Sequence, residues 1–84
     1  MDSKALNLVI VSPEKTLYKG EVRSVTLPGT LGLFMVLPQH APLLSSLEKG
    51  NVTYTAADGT EHTLAIAGGF VDVNNNEVSV CIEQ

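Results

Sequence analysis

The sequence predicts an all-β sandwich, and three observations predict it. Twenty of the 84 residues are β-branched (ten Val, three Ile, seven Thr), and such side chains, stiff at χ1, suit a pleated, half-buried strand. Turn formers break the apolar runs into short pieces: seven Gly, four Pro, and six Asx between residues 51 and 76. In the last third, apolar and polar residues alternate, the period of a strand with one buried face. A chain of 84 residues has room for one domain, 1–84, around one modest core.

Taken in order, Leu6 to Val11 is nearly continuous in apolar residues and reads as a central strand buried on both faces. Pro13 stops it. Residues 16–27 read as one long strand or two short ones. Their phase slips, with Val22 facing one way and Val25 and Leu27 the other, so a bulge or sheet corner is expected near Gly20. Pro28-Gly29 forces a turn. Leu43 to Leu47 is read as a single helical turn, with Pro42 at its first position and Gly50 ending it. Val52, Tyr54 and Ala56 lead through Ala57-Asp58-Gly59 to Leu64 and Ile66, a hairpin signalled by Asp-Gly. Gly68-Gly69 marks a sharp bend. A last hairpin joins Val71 and Val73 to Val78, Val80 and Ile82 through Asn74-Asn75-Asn76, residues that tolerate positive φ.

Composition narrows the function. A net charge of −4 and a pI near 4.9 argue against binding nucleic acid by neutralising phosphates. The charge is uneven: residues 1–49 sum to +1, and residues 50–84 carry five acids and no base, −5. No apolar run approaches the roughly 18–20 residues of a membrane helix, and Met1 to Lys4 is not the basic start of a signal peptide. One cysteine, Cys81, makes no internal disulfide and points to a reducing compartment. It falls on the outward face with Ser79 and Glu83, with no base beside it in sequence to lower its pKa. Two histidines without H-x-x-x-H or C-x-x-C spacing make no metal site, and His62 reads as a surface residue. Gly68-Gly69 is no phosphate loop, since neither a Lys nor a helix follows. No catalytic residue, cofactor, metal or nucleotide site is expected.

The informative stretch is Leu31 to Leu44, apolar at almost every position from 31 to 37 and bounded by Pro28-Gly29 and Pro38. Two readings stand. It is a buried strand with a tight connection, or its leading end (Thr30, Leu31, Leu33) is exposed and covered by another molecule. His40 lies between Pro38 and Pro42, which fix φ on either side and stiffen the loop. A stiff loop loses little ordering entropy on docking, so His40 is a candidate recognition residue. The plainer reading is a histidine hydrogen-bonded locally.

Four stretches together resemble the N-terminal β domain of the epsilon subunit of F-type ATP synthases. They are Ile10-Val11-Ser12-Pro13-Glu14 with Leu17-Tyr18 and Gly20-Glu21-Val22; Leu27-Pro28-Gly29 with Gly32; Leu37-Pro38-Gln39-His40-Ala41-Pro42-Leu43-Leu44; and Ala65 to Val73 around Gly68-Gly69-Phe70. The resemblance implies a flattened sandwich of about ten strands in two sheets, with little or no helix. It implies a non-catalytic rotor subunit, peripheral on the cytoplasmic face of the bacterial plasma membrane. Such a subunit couples the membrane c-ring to gamma for proton-driven ATP synthesis. By position, Thr30, Leu31, Gly32, Leu33 and Phe34 correspond to the ring-contacting loop. Ser12, His40, Ala41 and Pro42 correspond to gamma contacts. Leu31 and Leu33 depart from the acids common in that loop, and Met35 from a usual small residue, which implies a more apolar ring contact. The chain stops at Gln84, where most of the family continues into a helical hairpin, so no inhibitory arm and no nucleotide site are expected. The alternative function is a stand-alone β-sandwich adaptor that binds a peptide or glycan through the same loop.

Overall fold

A computed structural model describes residues 5–84; the Met1 to Lys4 reading lies outside the described residues. Eight strands are present: β1 Leu6–Val11, β2 Thr16–Gly29, β3 Gly32–Val36, β4 Leu43–Leu47, β5 Gly50–Ala56, β6 Glu61–Ile66, β7 Gly68–Asn74 and β8 Glu77–Glu83. They fill a body of 38 × 23 × 19 Å. The sandwich has eight strands, close to the expected number of about ten, and they form one continuous hydrogen-bonded network. The order is β1-β8-β7-β4-β2-β5-β6, with β3 on β2 and a β1–β2 pairing that closes the circuit.

The long β2 makes this topology. Its first half pairs antiparallel with β1, from Leu6↔Val22 to Val11↔Thr16. Its second half lies between β3, by Val25↔Val36, and β5, by Val25↔Tyr54. At its end Gly29 meets Leu47 of β4. The register against β5 slips between Val22 and Ser24, so Arg23 is the extra residue of a bulge. That bulge lets Val22, Val25 and Leu27 all turn inward although their spacing breaks a period of two. The expected irregularity near Gly20 is therefore real, three residues further on, within one strand.

Two readings need correction. Leu43–Leu47 is strand, not a helical turn: it pairs with β7 from Leu43↔Val73 to Leu47↔Gly69. Five residues give a helix too few internal bonds to hold its nucleus, whereas pairing with β7 satisfies this backbone. β1 is buried on one face only. Leu6, Leu8 and Ile10 are fully buried, while Val9 and Val11 are half-buried on the outside.

The core is one cluster of fifteen aliphatic residues drawn from all eight strands. Its last third follows the predicted alternation: Val71, Val73, Val78, Val80 and Ile82 point in. The final turn closes at Asn74↔Glu77, with Asn75 and Asn76 at φ of 52° and 62°, as a two-residue hairpin loop requires. Gly69 has no alternative. A Cβ there would sit on the Cys81 carbonyl oxygen and 2.9 Å from the Ile82 Cα. Three rings cluster on the first half of β2 and the β5–β6 hairpin. Tyr18 and Tyr54 centroids lie 4.5 Å apart, and His62, exposed on the outer strand β6, stacks on Tyr54 at 5.2 Å.

Candidate functional site

Residues 31–37 show why their apolar pattern admitted two readings. Phe34 packs on the core and Val36 is fully buried, while Leu31, Leu33, Met35 and Leu37 are 102%, 73%, 55% and 51% exposed. β3 is thus a two-faced strand, apolar on both sides. Its inward residues complete the core, and its outward ones form a row along a strand paired with β2 alone. Thr30 and Leu31 make the tip between Gly29 and Gly32, and Gly32 takes φ of 125°, a conformation that strains any side-chain-bearing residue.

The structure brings His40 to that loop. All of Thr30, Leu31, Gly32, Leu33 and Phe34 line a groove of about 380 Å³ together with His40, Leu43 and Ser45. Leu33 and Phe34 of β3 line it on one side and Leu43 and Ser45 of β4 on the other, and the 37–42 connection links the two strands. That connection is held at three points. The His40 amide donates to the Leu37 carbonyl at 3.1 Å. The Gln39 amide, at φ of 68°, donates to Asn76 Oδ1 at 2.6 Å. His40 Nδ1 lies 2.7 Å from the Ala41 carbonyl, so Nδ1 carries the hydrogen and Nε2 remains an available acceptor. The local hydrogen bond of the plainer reading exists and leaves half the ring unused. Asn76 was missed in the sequence, because its partner lies 37 residues away.

The other candidates are placed apart. Ala41 and Pro42 are exposed, and Pro42 borders a separate depression with Leu44 and Asp72. Ser12 is not in the groove. Its hydroxyl serves its own turn, donating to the Lys15 carbonyl at 3.3 Å and accepting from the Glu14 and Lys15 amides. It borders a second groove, about 510 Å³, with Val11, Phe70 and Cys81. Cys81 is half-buried there on the outer face, between Val11 of β1 and Phe70 of β7. Phe70, 50% exposed, carried no signal beyond the Gly-Gly-Phe block. Among the described residues no three metal-ligating side chains converge, no helix is long and apolar enough to cross a membrane, and no polar side chain is buried. Apolar residues make up most of the lining of the first two grooves, with His40 and Ser45 in one and Ser12, Cys81 and Glu83 in the other.

The ATP synthase delta/epsilon chain beta-sandwich domain matches residues 5–84. The chain belongs to that family. It is 46% identical over 81 residues to an ATP synthase epsilon chain of Chlorobaculum tepidum, covering 96% of this chain and 92% of the relative. With the epsilon chain of Paracoccus denitrificans it shares 43% over 75 residues, 89% of this chain but 51% of that one. Among solved structures it superposes on a chain of the Euglena gracilis mitochondrial ATP synthase, captured with OSCP, F1 and c-ring. The TM-score is 0.91 at 20% identity, over 100% of this chain and 53% of that one. A chain of the Tetrahymena thermophila mitochondrial ATP synthase central stalk and c-ring gives 0.78 at 13% identity, over 100% and 67%. These two likenesses establish the family's sandwich as the fold. Pro38-Gln39-His40-Ala41-Pro42 and Gly68-Gly69-Phe70, the blocks that carried the resemblance, are the connection beside the first groove and the strand start beside the second.

Proposed function

We propose that this chain is a non-catalytic central-stalk subunit of an F-type ATP synthase, joining the c-ring to the gamma subunit so that proton-driven rotation reaches the catalytic head. Residues 1–84 act in it as one β-sandwich domain. The observation that carries the reading is the exposed apolar row of Leu31 and Leu33 at the tip of a family sandwich. Water-exposed leucines in so small a body are explained by a partner. The tip, Thr30 to Phe34, meets the ring. The rigid connection with His40, Ala41 and Pro42, and the Ser12 turn, meet gamma. The two assemblies with matching chains, one captured with a c-ring and one described as central stalk and c-ring, support this arrangement. The subunit is peripheral, held on the cytoplasmic face of a bacterial plasma membrane through the ring.

The experiment is assembly with the cognate ring and gamma, followed by ATP-driven pumping. Leu33 is 73% exposed, so Leu33→Asp is expected to leave the sandwich folded and to loosen coupling to the ring. Normal pumping in the variant would overturn the tip assignment. Failure of the wild-type chain to co-purify with gamma or ring, alongside affinity for a free peptide or glycan, would replace the reading with an adaptor.

A further inference from the structure

From Ser24 to Leu47 there is no Asp, Glu, Lys or Arg. That span comprises the second half of β2, all of β3, the His40 connection and all of β4. Inside it, β3 has one paired edge and one open edge. The Glu48 amide donates to the Pro28 carbonyl at 2.8 Å, so the Pro28 carbonyl points away from β3, and Pro28 has no N–H to offer. Pro28↔Leu33 is therefore a non-hydrogen-bonded pair. By the alternation of an antiparallel ladder, Phe34 bonds to β2, while the N–H and C=O groups of Leu33 and Met35 point to the open edge. Soluble proteins guard such an edge with lysine, proline, a bulge or an inward charge. Gly32–Val36 has none of these.

We infer that the open edge of β3 pairs with β3 of a second copy of this chain, antiparallel about a two-fold axis at Phe34. The sequence is self-complementary about that residue: Leu33 falls opposite Met35, Gly32 opposite Val36, and Leu31 opposite Leu37. The bonding phase agrees. Phe34 faces its own copy as a non-hydrogen-bonded pair. Leu33 and Met35 exchange the N–H···O bonds their strand leaves open, four across the axis. The outward rows meet as Leu33–Met35 cross-strand pairs, 73% and 55% exposed in the single chain. Charge selects the same edge. Each copy carries −4, and this uncharged edge is where two copies meet without setting acid against acid. β6, the other outermost strand, begins at Glu61. A five-residue strand pairing buries well under the roughly 1,000 Å² total of a stable interface. The dimer is therefore weak and depends on concentration. It goes beyond the stalk reading, because it belongs to the free chain and covers the Thr30–Phe34 loop until another partner takes it.

The test is sedimentation equilibrium of the full chain from about 10 μM to about 1 mM, a range suited to a small interface, with amide exchange read at single residues. The expected result is a mass rising from 8.9 kDa toward twice that value. Exchange should slow with concentration at Leu33 and Met35 but not at Phe34. Met35→Lys, at an exposed position, should weaken the association at least tenfold with an unchanged circular dichroism spectrum, and Thr63→Lys on β6 should leave it intact. A constant monomer mass up to the highest concentration overturns the inference. So does a dimer indifferent to Met35→Lys, or protection of Leu33 and Met35 only when gamma or ring is added. None of these outcomes bears on whether the chain co-purifies with a stalk.

Discussion

At His40 the Nδ1 hydrogen is committed to the Ala41 carbonyl, so any partner must bind through Nε2 or the ring face. His40→Ala should weaken gamma binding by about 1 kcal/mol, the scale at which an interface side chain begins to matter, with no change in fold; an unchanged gamma titration counts against the role. Gly69 is constrained differently. Gly69→Ala drives a methyl into the β8 backbone at Cys81 and Ile82 and should cost about 3 kcal/mol or more in urea unfolding. Gly68→Ala is the control, since its Cβ would meet the Leu47 carbonyl at an ordinary 3.6 Å. If the two variants unfold at the same urea concentration, the close approach at Gly69 is wrong. The local bond of His40 was one of its two sequence readings, whereas the constraint on Gly69 was not visible in sequence. Gly68-Gly69 reads as a bend, and only the β7–β8 register shows which glycine lies against the neighbouring backbone.

Among the described residues, the β5–β6 hairpin carries the two groups with displaced titrations. Hydrogen bonds from Thr60 hold the Asp58 carboxyl below its usual value, one of them running from the Thr60 amide at 2.9 Å. A depressed carboxyl stabilises the fold above its ordinary pKa of 3.8 and loses that contribution as pH falls through the lowered value. The turn should therefore loosen in acid, seen as faster exchange at the Thr60 amide below the ordinary carboxylate range, and Asp58→Asn should remove that dependence. Tyr54 behaves oppositely. Burial, and then the neighbouring Tyr18, raise its hydroxyl above 10.0, so its contribution is complete below that value and disappears as pH rises through the raised one. Tyr54→Phe should keep the ring stack and flatten the alkaline limb of thermal stability; an unaltered limb would assign it to another group. Legibility at this scale followed pattern. β7 and β8 were plain because Asp72, Asn74, Glu77, Ser79 and Glu83 alternate with their buried residues. β3 was ambiguous because Leu33 and Met35 outside match Phe34 and Val36 inside, which erases the period. β4 was misread because Pro42 and Gly50 mimic helix ends and Leu43-Leu44-Ser45-Ser46-Leu47 contains no β-branched residue. β2 looked divisible because its bulge at Arg23 shifts the phase without ending the strand.

For the whole molecule, β1 and β8 pair in parallel, from Asn7↔Glu77 to Val11↔Cys81, so the core closes only once β8 is in place. Removing Glu77–Glu83 takes Val78, Val80 and Ile82 from the core and strips β1 and β7 of a shared partner. The shortened chain should show no cooperative thermal transition, and a sharp one would mean the remaining strands suffice. The stalk reading makes its own demand here. An apolar tip on a chain of charge −4 should hold the ring with little sensitivity to salt, since screening weakens charge pairs and leaves apolar contact intact. Release from the ring at moderate salt would contradict that. The tip also has a backbone behind it. Fourteen residues of β2 run as one strand from the edge of β1 to Gly29, paired with β1 along the first half and with β3 and β5 along the second. A sideways load applied at Thr30 is thus borne along covalent bonds and two hydrogen-bonded ladders rather than by aliphatic groups sliding past one another, which makes the piece a stiff strut instead of a spring.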